Sequence, residues 1–578
     1  MNANSPVFTV LNECQDCYKC VRHCGCKAIR IEAGHATVIP ERCVSCGECV
    51  KVCPAGAKKI RSDVPRVEQL LASGRRVYVS VAPSYVGYFP GLAFGRLVAA
   101  LKQCGFTGVS ETAVGAQRVS AKTANSLQKA DSGIFISSAC PAAVDYIGKY
   151  HHGWASRIMN VESPLMTHAR MLKEQFGTDA AVVFIGPCAA KKNESDRNLD
   201  ILDCVLTFAR IATFMESRGI DPYTCEMDEP VLEVAQEGRM YSVEGGMNDT
   251  LRTDGDGVRY VAVSGLEHIG RMLQGTTAEE VDAAGVKIFL ELLVCVGGCV
   301  NGPVGTPAGA KSDISSLVGT ARLASQRCSV GRENELVSTL TGMSTCIKSI
   351  PASEQDLRKS LERVGKFSPA DELNCGGCGY DRCRDFGQAM IDGHAEPAMC
   401  LSYLRKLSQR TSNALIKYIP AAVVFVGPDL KIIESNYRFA ALCGSDATVI
   451  FDSRGSLAGI DLKSLFGYDD LFKGVLLNGG ELRRFNQVFG KRILTISIFS
   501  VSDRQCVGAV IQDVTEVEMQ REQIAERARE VIRKNVLTVQ TVARCLGEHI
   551  AETEILLSEV ADIYAKPADV KDKVIHAG

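Results

Sequence analysis

The chain has 578 residues, which at roughly 150 residues per domain is about three to five domains. It is 46% hydrophobic and 23% charged, and a net charge of −2 gives no electrostatic ground for a nucleic-acid or anionic-membrane partner. No apolar run approaches the roughly 18–20 residues that cross a bilayer, and Met1 to Val10 lack a charged start followed by an apolar stretch, so a cytoplasmic protein is expected.

The sequence holds 25 cysteines, and in a reducing compartment these are not a disulfide framework. Their clustering points to metal. Cys14, Cys17, Cys20 and Cys24 are spaced C-x2-C-x2-C-x3-C, and Cys43, Cys46, Cys49 and Cys53 repeat the pattern. The second run ends in Pro54, while the first continues into Gly25 and a spare thiol, Cys26. Residues 1–65 thus read as an internal duplication, each half a short strand and a short helix, too small to hold a core without metal. The spacing is the ferredoxin arrangement for two 4Fe–4S clusters, in which the fourth cysteine of each run serves the other cluster. Cys14, Cys17, Cys20 and Cys53 are assigned to one cluster, and Cys43, Cys46, Cys49 and Cys24 to the other. Two zinc sites are the alternative.

From Val77 the texture changes. Apolar runs at Val77–Val81, Ile134–Ser137 and Ala181–Ile185 alternate with helical stretches at Phe94–Lys102, Met166–Gln175 and Thr207–Arg218. Residues 75–348 therefore predict an α/β domain with a largely parallel sheet. Cys140 and Cys188 each sit just past a predicted strand, where open α/β sheets build their sites. Cys295 and Cys299 are flanked by Gly297, Gly298 and Gly302, which let backbone approach a bulky inorganic group. Four thiolates converging there would hold a further cluster.

Residues 353–404 place Cys375, Cys378, Cys383 and Cys400 between predicted helices. Four such thiolates suit a 4Fe–4S cluster, and zinc is the alternative. Residues 411–515 predict an antiparallel sheet with helices between its strands: Val423–Val426, the turn Gly427-Pro428-Asp429, Lys431–Ser435, then Arg492–Val501 and Cys506–Asp513. In residues 516–565, Ile532, Val536, Val539, Ala543, Leu546, Ile550, Thr553, Leu557 and Val560 step by four and three, a coiled-coil or bundle seam that predicts a dimer-forming helix. Residues 566–578 remain as a tail. His549 reads as an exposed helical histidine, with no phosphoacceptor or ATP-binding motif around it.

A family resemblance rests on three segments in order: Ser138-Ala139-Cys140-Pro141, Pro187-Cys188-Ala189-Ala190-Lys191-Lys192-Asn193-Glu194, and Glu291-Leu292-Leu293-Val294-Cys295-Val296-Gly297-Gly298-Cys299. They resemble the three signatures of FeFe hydrogenases. The resemblance implies that Cys140, Cys188, Cys295 and Cys299 bind a 4Fe–4S cluster. It implies that Cys299 bridges to a diiron subcluster carrying CO, cyanide and azadithiolate, that Lys191 donates to a cyanide, and that Glu194 belongs to the same site. Departures stand beside it. Ala139 replaces the family's proton-relay cysteine, Gly186 and Leu293 stand where methionine is usual, and Ser163-Pro164 is followed by Leu165-Met166 instead of glutamines. No glutamate lies between Thr112 and Ala139, the stretch that supplies the family's acidic relay. Residues 353–404 resemble small four-cysteine iron–sulfur modules. Residues 411–515, closing on Asp513-Val514-Thr515-Glu516, resemble a PAS domain.

The expected architecture is therefore multidomain, α+β and α/β: a two-cluster ferredoxin domain, a hydrogenase-like domain, a four-cysteine module, a PAS domain and a dimerising helix. The expected function is a sensory FeFe hydrogenase of low turnover, interconverting H2 with protons and electrons, exchanging electrons with a partner such as ferredoxin, and signalling to a separate kinase or phosphatase. Four cubanes would form a path leading from the catalytic site in both directions, with about 18 irons in all. A metabolic ferredoxin-linked hydrogenase and a non-enzymatic iron–sulfur assembly relative are the alternatives.

Overall fold

The computed structural model describes residues 5–253, 255–275, 277–283, 285–304, 337–342, 344–347, 350–546 and 551–563. His549, Ile550 and the 566–578 tail lie outside the described residues. The chain divides into two units, Met1–Leu404 and Arg405–Gly578. Among the described residues no helix is long and apolar enough to cross a membrane.

The N-terminal part has four short strands. β1 (Val7–Thr9) pairs antiparallel with β4 (Lys58–Ile60), and β2 (Ile29–Glu32) with β3 (His35–Val38). The duplication is visible in the backbone. Asp16 and Ser45, each just before the second cysteine of its run, take φ of 51° and 55°, and the third cysteine of each run sits on a one-turn helix, Lys19–Arg22 or Glu48–Lys51. This part has little core of its own. Cys26, Ala28 and Val44 pack with Ile134, Ile136 and Ala142 of the middle domain.

The middle domain carries two parallel sheets where the sequence led us to expect one. The first orders β6 (Gly108–Glu111), β5 (Val77–Val81), β8 (Ala181–Gly186) and β9 (Cys204–Thr207). The second orders β10 (Val258–Ser264), β11 (Lys287–Leu293) and β7 (Gly133–Ile136). β5 and β8 are buried at every residue because helices cover both faces, which is why they read as unbroken apolar runs without alternation. A buried network fastens the N-terminal part here. Lys192 Nζ donates to Asp63 Oδ2 at 2.7 Å and to the Val205 carbonyl, and Arg61 bridges Asp63 at 2.8 Å to Asp196 at 2.9 Å.

The four-cysteine module packs its helices Glu354–Glu362 and Cys383–Ile391 together and shares an apolar core with the N-terminal part. Among the described residues, that shared core contains no residue of the middle domain. The expected path in both directions from the catalytic site is thus corrected: the module lies on the side of the ferredoxin-like cysteines.

The second unit has a five-stranded antiparallel sheet in the order β13 (Ile432–Ser435), β12 (Ala422–Val426), β16 (Cys506–Asp513), β15 (Arg492–Ser502) and β14 (Glu481–Phe489). Leu494, Ile496 and Ile498 alternate inward along β15 against helices inserted between β13 and β14. Asn436 caps the helix Tyr437–Cys443, accepting from Phe439 N and Val423 N, both at 3.0 Å, and donating to the Ala421 carbonyl at 2.8 Å. The expected single helix over 516–565 is two, Thr515–Leu546 and Ala551–Ile563, which pack on each other.

Candidate active site

Strands from both sheets of the middle domain end at one cavity of about 100 Å³. β5 leads into Ala82, Pro83 and Ser84; β7 into Ala139 and Cys140; β8 into Pro187 and Cys188; β11 into Val294 and Cys295. Cys299 completes the set from a loop that presses on its neighbour: a Cβ on Gly298, where φ is +103°, would lie 2.7 Å from the Ser242 carbonyl oxygen. Cys140, Cys188, Cys295 and Cys299 all line the cavity, and each of the last three lies in the field of Cys140. Burial, then the neighbouring thiols, push Cys188 up to about 11 and drive Cys295 and Cys299 up as well. Thiolates gathered this closely repel one another unless a cationic centre holds them, and soft sulfur donors suit iron–sulfur clusters or zinc.

Lys191 reaches the same cavity from the helix Ala190–Arg197. Its Nζ donates to Glu194 Oε2 at 2.7 Å and to Ser163 Oγ at 2.9 Å, so Glu194 and Ser163 hold the ammonium at the cavity edge. Ser163 also caps the helix Pro164–Phe176. Ala139 lines the cavity with a methyl group only. Gly186 is packed out: a Cβ there would fall 2.4 Å from the Phe184 ring, and it is Phe184 that lines the cavity. The space a side chain at 186 would use is already filled.

Residues 75–303 match the family model described as iron only hydrogenase large subunit, C-terminal domain. The middle domain is FeFe-hydrogenase-like. Iron hydrogenase 1 of Clostridium pasteurianum is 25% identical over 307 residues, 43% of this chain and 53% of that protein. The NADP-reducing hydrogenase subunit HndD of Solidesulfovibrio fructosivorans is 24% identical over 328 residues, 45% of this chain and 55% of that protein. The chain spans about half the length of these two relatives. A solved structure of [FeFe]-hydrogenase HydA1 from Chlamydomonas reinhardtii aligns at 19% identity over 47% of this chain and 91% of that chain, with a TM-score of 0.38. Residues 36–59 match a 4Fe-4S binding domain, and residues 371–402 an Fe-S cluster family.

Outside the hydrogenase domain the other cysteines also gather. Cys20 lies in the field of Cys14, Cys17 and Cys53, and Cys49 in that of Cys46, Cys43 and Cys24. Cys46, half-buried and pushed up by desolvation to about 12, lines the hydrogenase cavity as well. Cys26 is buried beside Cys24, Cys46 and Cys43. In the module, Cys378 lies in the field of Cys400 and Cys375, and Asn374 accepts from Cys383 N at 2.8 Å.

Sequence reasoning missed three residues of the hydrogenase cavity. Glu291 on β11 is 2% exposed, accepts from Asn248 N at 3.0 Å, and burial raises its carboxyl to about 7. Ser84, wholly buried, has a hydroxyl with no hydrogen-bond partner among the described residues. Tyr241 bonds to Ser120 Oγ at 2.8 Å. Glu291 lay inside the third signature, so its place was available; Ser84 and Tyr241 follow no motif.

Proposed function

We propose that this protein is a cytoplasmic FeFe hydrogenase of low turnover that senses H2. The donor set of the cavity fits the cofactor: four half-buried thiols, the Lys191 ammonium, and a buried Ser84 hydroxyl without a partner among the described residues. In this reading Cys140, Cys188, Cys295 and Cys299 hold a 4Fe–4S cluster and Cys299 bridges to the diiron subcluster. That subcluster, with its CO, cyanide and azadithiolate ligands, supplies the interconversion of H2 with two protons and two electrons. Lys191 and Ser84 donate to its anionic cyanides, and Glu194 and Ser163 keep Lys191 aimed. Cys14, Cys17, Cys20 and Cys53, the set of Cys43, Cys46, Cys49 and Cys24, and Cys375, Cys378, Cys383 and Cys400 each hold a 4Fe–4S cluster.

Low turnover follows from the proton side. Ala139 neither donates nor accepts, and loss of one proton-transfer group costs on the order of 10² or more in rate. Glu291 is the buried acid left in the cavity lining, able to hold a proton near neutral pH.

The sensory reading rests on the second unit. Its strand order, with the helices between β13 and β14, supports a PAS domain over 411–515. The closing segment ties sheet to helix: Thr515 Oγ1 accepts from Ile493 N at 2.9 Å, and Val514 N donates to the Ile493 carbonyl at 2.9 Å. A shift in the sheet is therefore passed to the helix Thr515–Leu546. Val517, Met519, Ile524, Val531 and Leu537 of that helix are exposed, which supports a homodimer built from two helical hairpins, one per chain, and output through a separate kinase or phosphatase. Truncation after Thr515 should give a monomer with unchanged cluster content; an unchanged oligomeric state would remove the dimer from this reading.

Infrared spectroscopy of protein matured with the diiron cofactor tests the whole. Carbonyl and cyanide bands with slow H2 turnover are expected. Their absence after maturation would favour an assembly role, the activity named for a relative from Schizosaccharomyces japonicus, a cytosolic Fe-S cluster assembly factor NAR1 homolog 28% identical over 106 residues. Rapid turnover would favour a metabolic hydrogenase.

A further inference from the structure

The four-cysteine module is built onto the ferredoxin-like part at a defined seam. Tyr380, Phe386 and Met399 share a core with Val21, Ile29 and Ile31. Polar contacts fix the register: Lys27 Nζ donates to the Gly379 carbonyl at 2.6 Å, Ile31 N to the His394 carbonyl at 3.0 Å, and Ala33 N to Glu396 Oε1 at 2.8 Å. At the seam Gly379, with φ +94°, passes so close that a Cβ would lie 2.9 Å from Val21 Cγ1 and 3.2 Å from Arg22 N.

One side chain of this seam lies between two cysteine sets. Tyr380 is buried, lies in the field of both Cys378 and Cys24, and carries the Lys27 ammonium 5.8 Å above its ring. The set to which Cys24 belongs also meets the hydrogenase domain. Cys46 lines its cavity, Lys149 Nζ donates to the Cys43 carbonyl at 2.7 Å, and Tyr150 donates to the Cys26 carbonyl at 3.1 Å. Its third neighbour is the set of Cys14, Cys17, Cys20 and Cys53, through the crossing of the two runs. Two cysteines at the free ends are exposed: Cys17 in the first set and Cys375 in the module.

We propose that the electron path forks at the cluster of Cys24, Cys43, Cys46 and Cys49, one arm ending at Cys17 and the other crossing the Tyr380 seam to end at Cys375. The fork rests on the cluster assignments proposed above. Oxidation of one H2 releases two protons and two electrons, and each electron takes one 4Fe–4S cluster from the 2+ to the 1+ state. The Cys17 arm serves exchange with an external one-electron carrier. The module arm ends where Cys400 is followed directly by the helix Leu401–Tyr418, the chain's only covalent route into the second unit, so charge on the module is the quantity a sensor would read.

The test is electron paramagnetic resonance on the holoprotein, reduced in steps, with iron and zinc counted in the same samples. The fork predicts that the reduced module signal is broadened by magnetic coupling to the Cys24-set cluster. Gly379→Val should remove the broadening with iron content unchanged, and reduction of the module under H2 should slow at least tenfold. Tyr380→Leu, which adds no atoms to the seam, is the second variant and should weaken the coupling in the same direction. An iron cluster present in the module but magnetically isolated in the unaltered protein overturns the fork alone. Zinc in the module overturns the cluster assignment and the fork together.

Discussion

One part of the hydrogenase cavity lining carries Cys140, Cys188, Cys295, Cys299 and Lys191, a complete donor set for a cofactor and its ligands. Another part, Ala139, Leu165, Phe184, Met247 and Leu293, holds no exchangeable proton, and Glu291 is the one carboxyl in the lining. The first group needs its residues in place to bind anything at all. The second affects only how fast protons arrive. Under the function proposed above, a protein that must bind H2 but need not process it quickly can keep the first and thin the second.

The contrast breaks most severely at Cys299. Cys299→Ala should abolish the diiron infrared bands and H2 turnover together, while the paramagnetic signals of the other clusters persist; retained bands would mean Cys299 is not the bridge. Glu291→Gln tests whether the apolar side has one remaining acid in use. We expect turnover to fall on the order of 10²-fold with the infrared bands unchanged. Equal turnover in the variant would assign proton delivery to another group. Ala139→Cys approaches the contrast from the opposite direction. A single thiol cannot rebuild a relay whose glutamates are absent, so a gain of tenfold or less, about 1.4 kcal/mol in the barrier, is expected in H2 evolution from a fast artificial donor. A gain far beyond that would make Ala139 the sole defect.

A separate effect, on stability and not on rate, concerns His168, behind the cavity. Its Nδ1 bonds Ser80 Oγ at 2.8 Å and its Nε2 bonds Ser110 Oγ at 3.1 Å, and complete burial lowers its pKa from 6.5 to about 3. The unfolded chain takes up a proton below about pH 6.5 and the folded protein does not. Stability from this site is therefore whole above 6.5 and lost as pH falls toward 3, by up to ~1.4 kcal/mol per pH unit. Denaturation midpoints at neutral pH and near pH 5 should lie closer together in His168→Gln than in the unaltered protein. An equal spread would show that His168 is protonated in the fold.

Much of this was legible in the residues. Val77–Val81 and Cys506–Asp513 are strands over the residues their composition marked, and the cysteine sets gather where their spacing grouped them. Ligand spacing is a local signal, since three donors come from one tight loop. Docking is not. The seam at Lys27, Gly379, Tyr380 and Glu396 joins positions some 350 residues apart with no shared pattern, so the module's place beside the ferredoxin-like part could not be read. The split into two sheets was hidden for the same reason, because β7 pairs with β11 and not with the strands nearest it in sequence. The hairpin was obscured because the four-three seam continues in sequence through Gly547. Glu291 shows a third kind of loss: its identity was plain, but its titration depends on burial that only the fold supplies.

The buried lysine at 192 has a bearing on modular inheritance. Asp63 belongs to the connection after the cysteine runs, yet its carboxylate is the anionic partner of a lysine 1% exposed inside the hydrogenase domain. Excising the first 65 residues would strand that charge, and an unpaired buried ion typically costs about 3–5 kcal/mol. Gene fusions and swaps that treat the two pieces as interchangeable cassettes should therefore fail at this lysine unless position 192 changes with them.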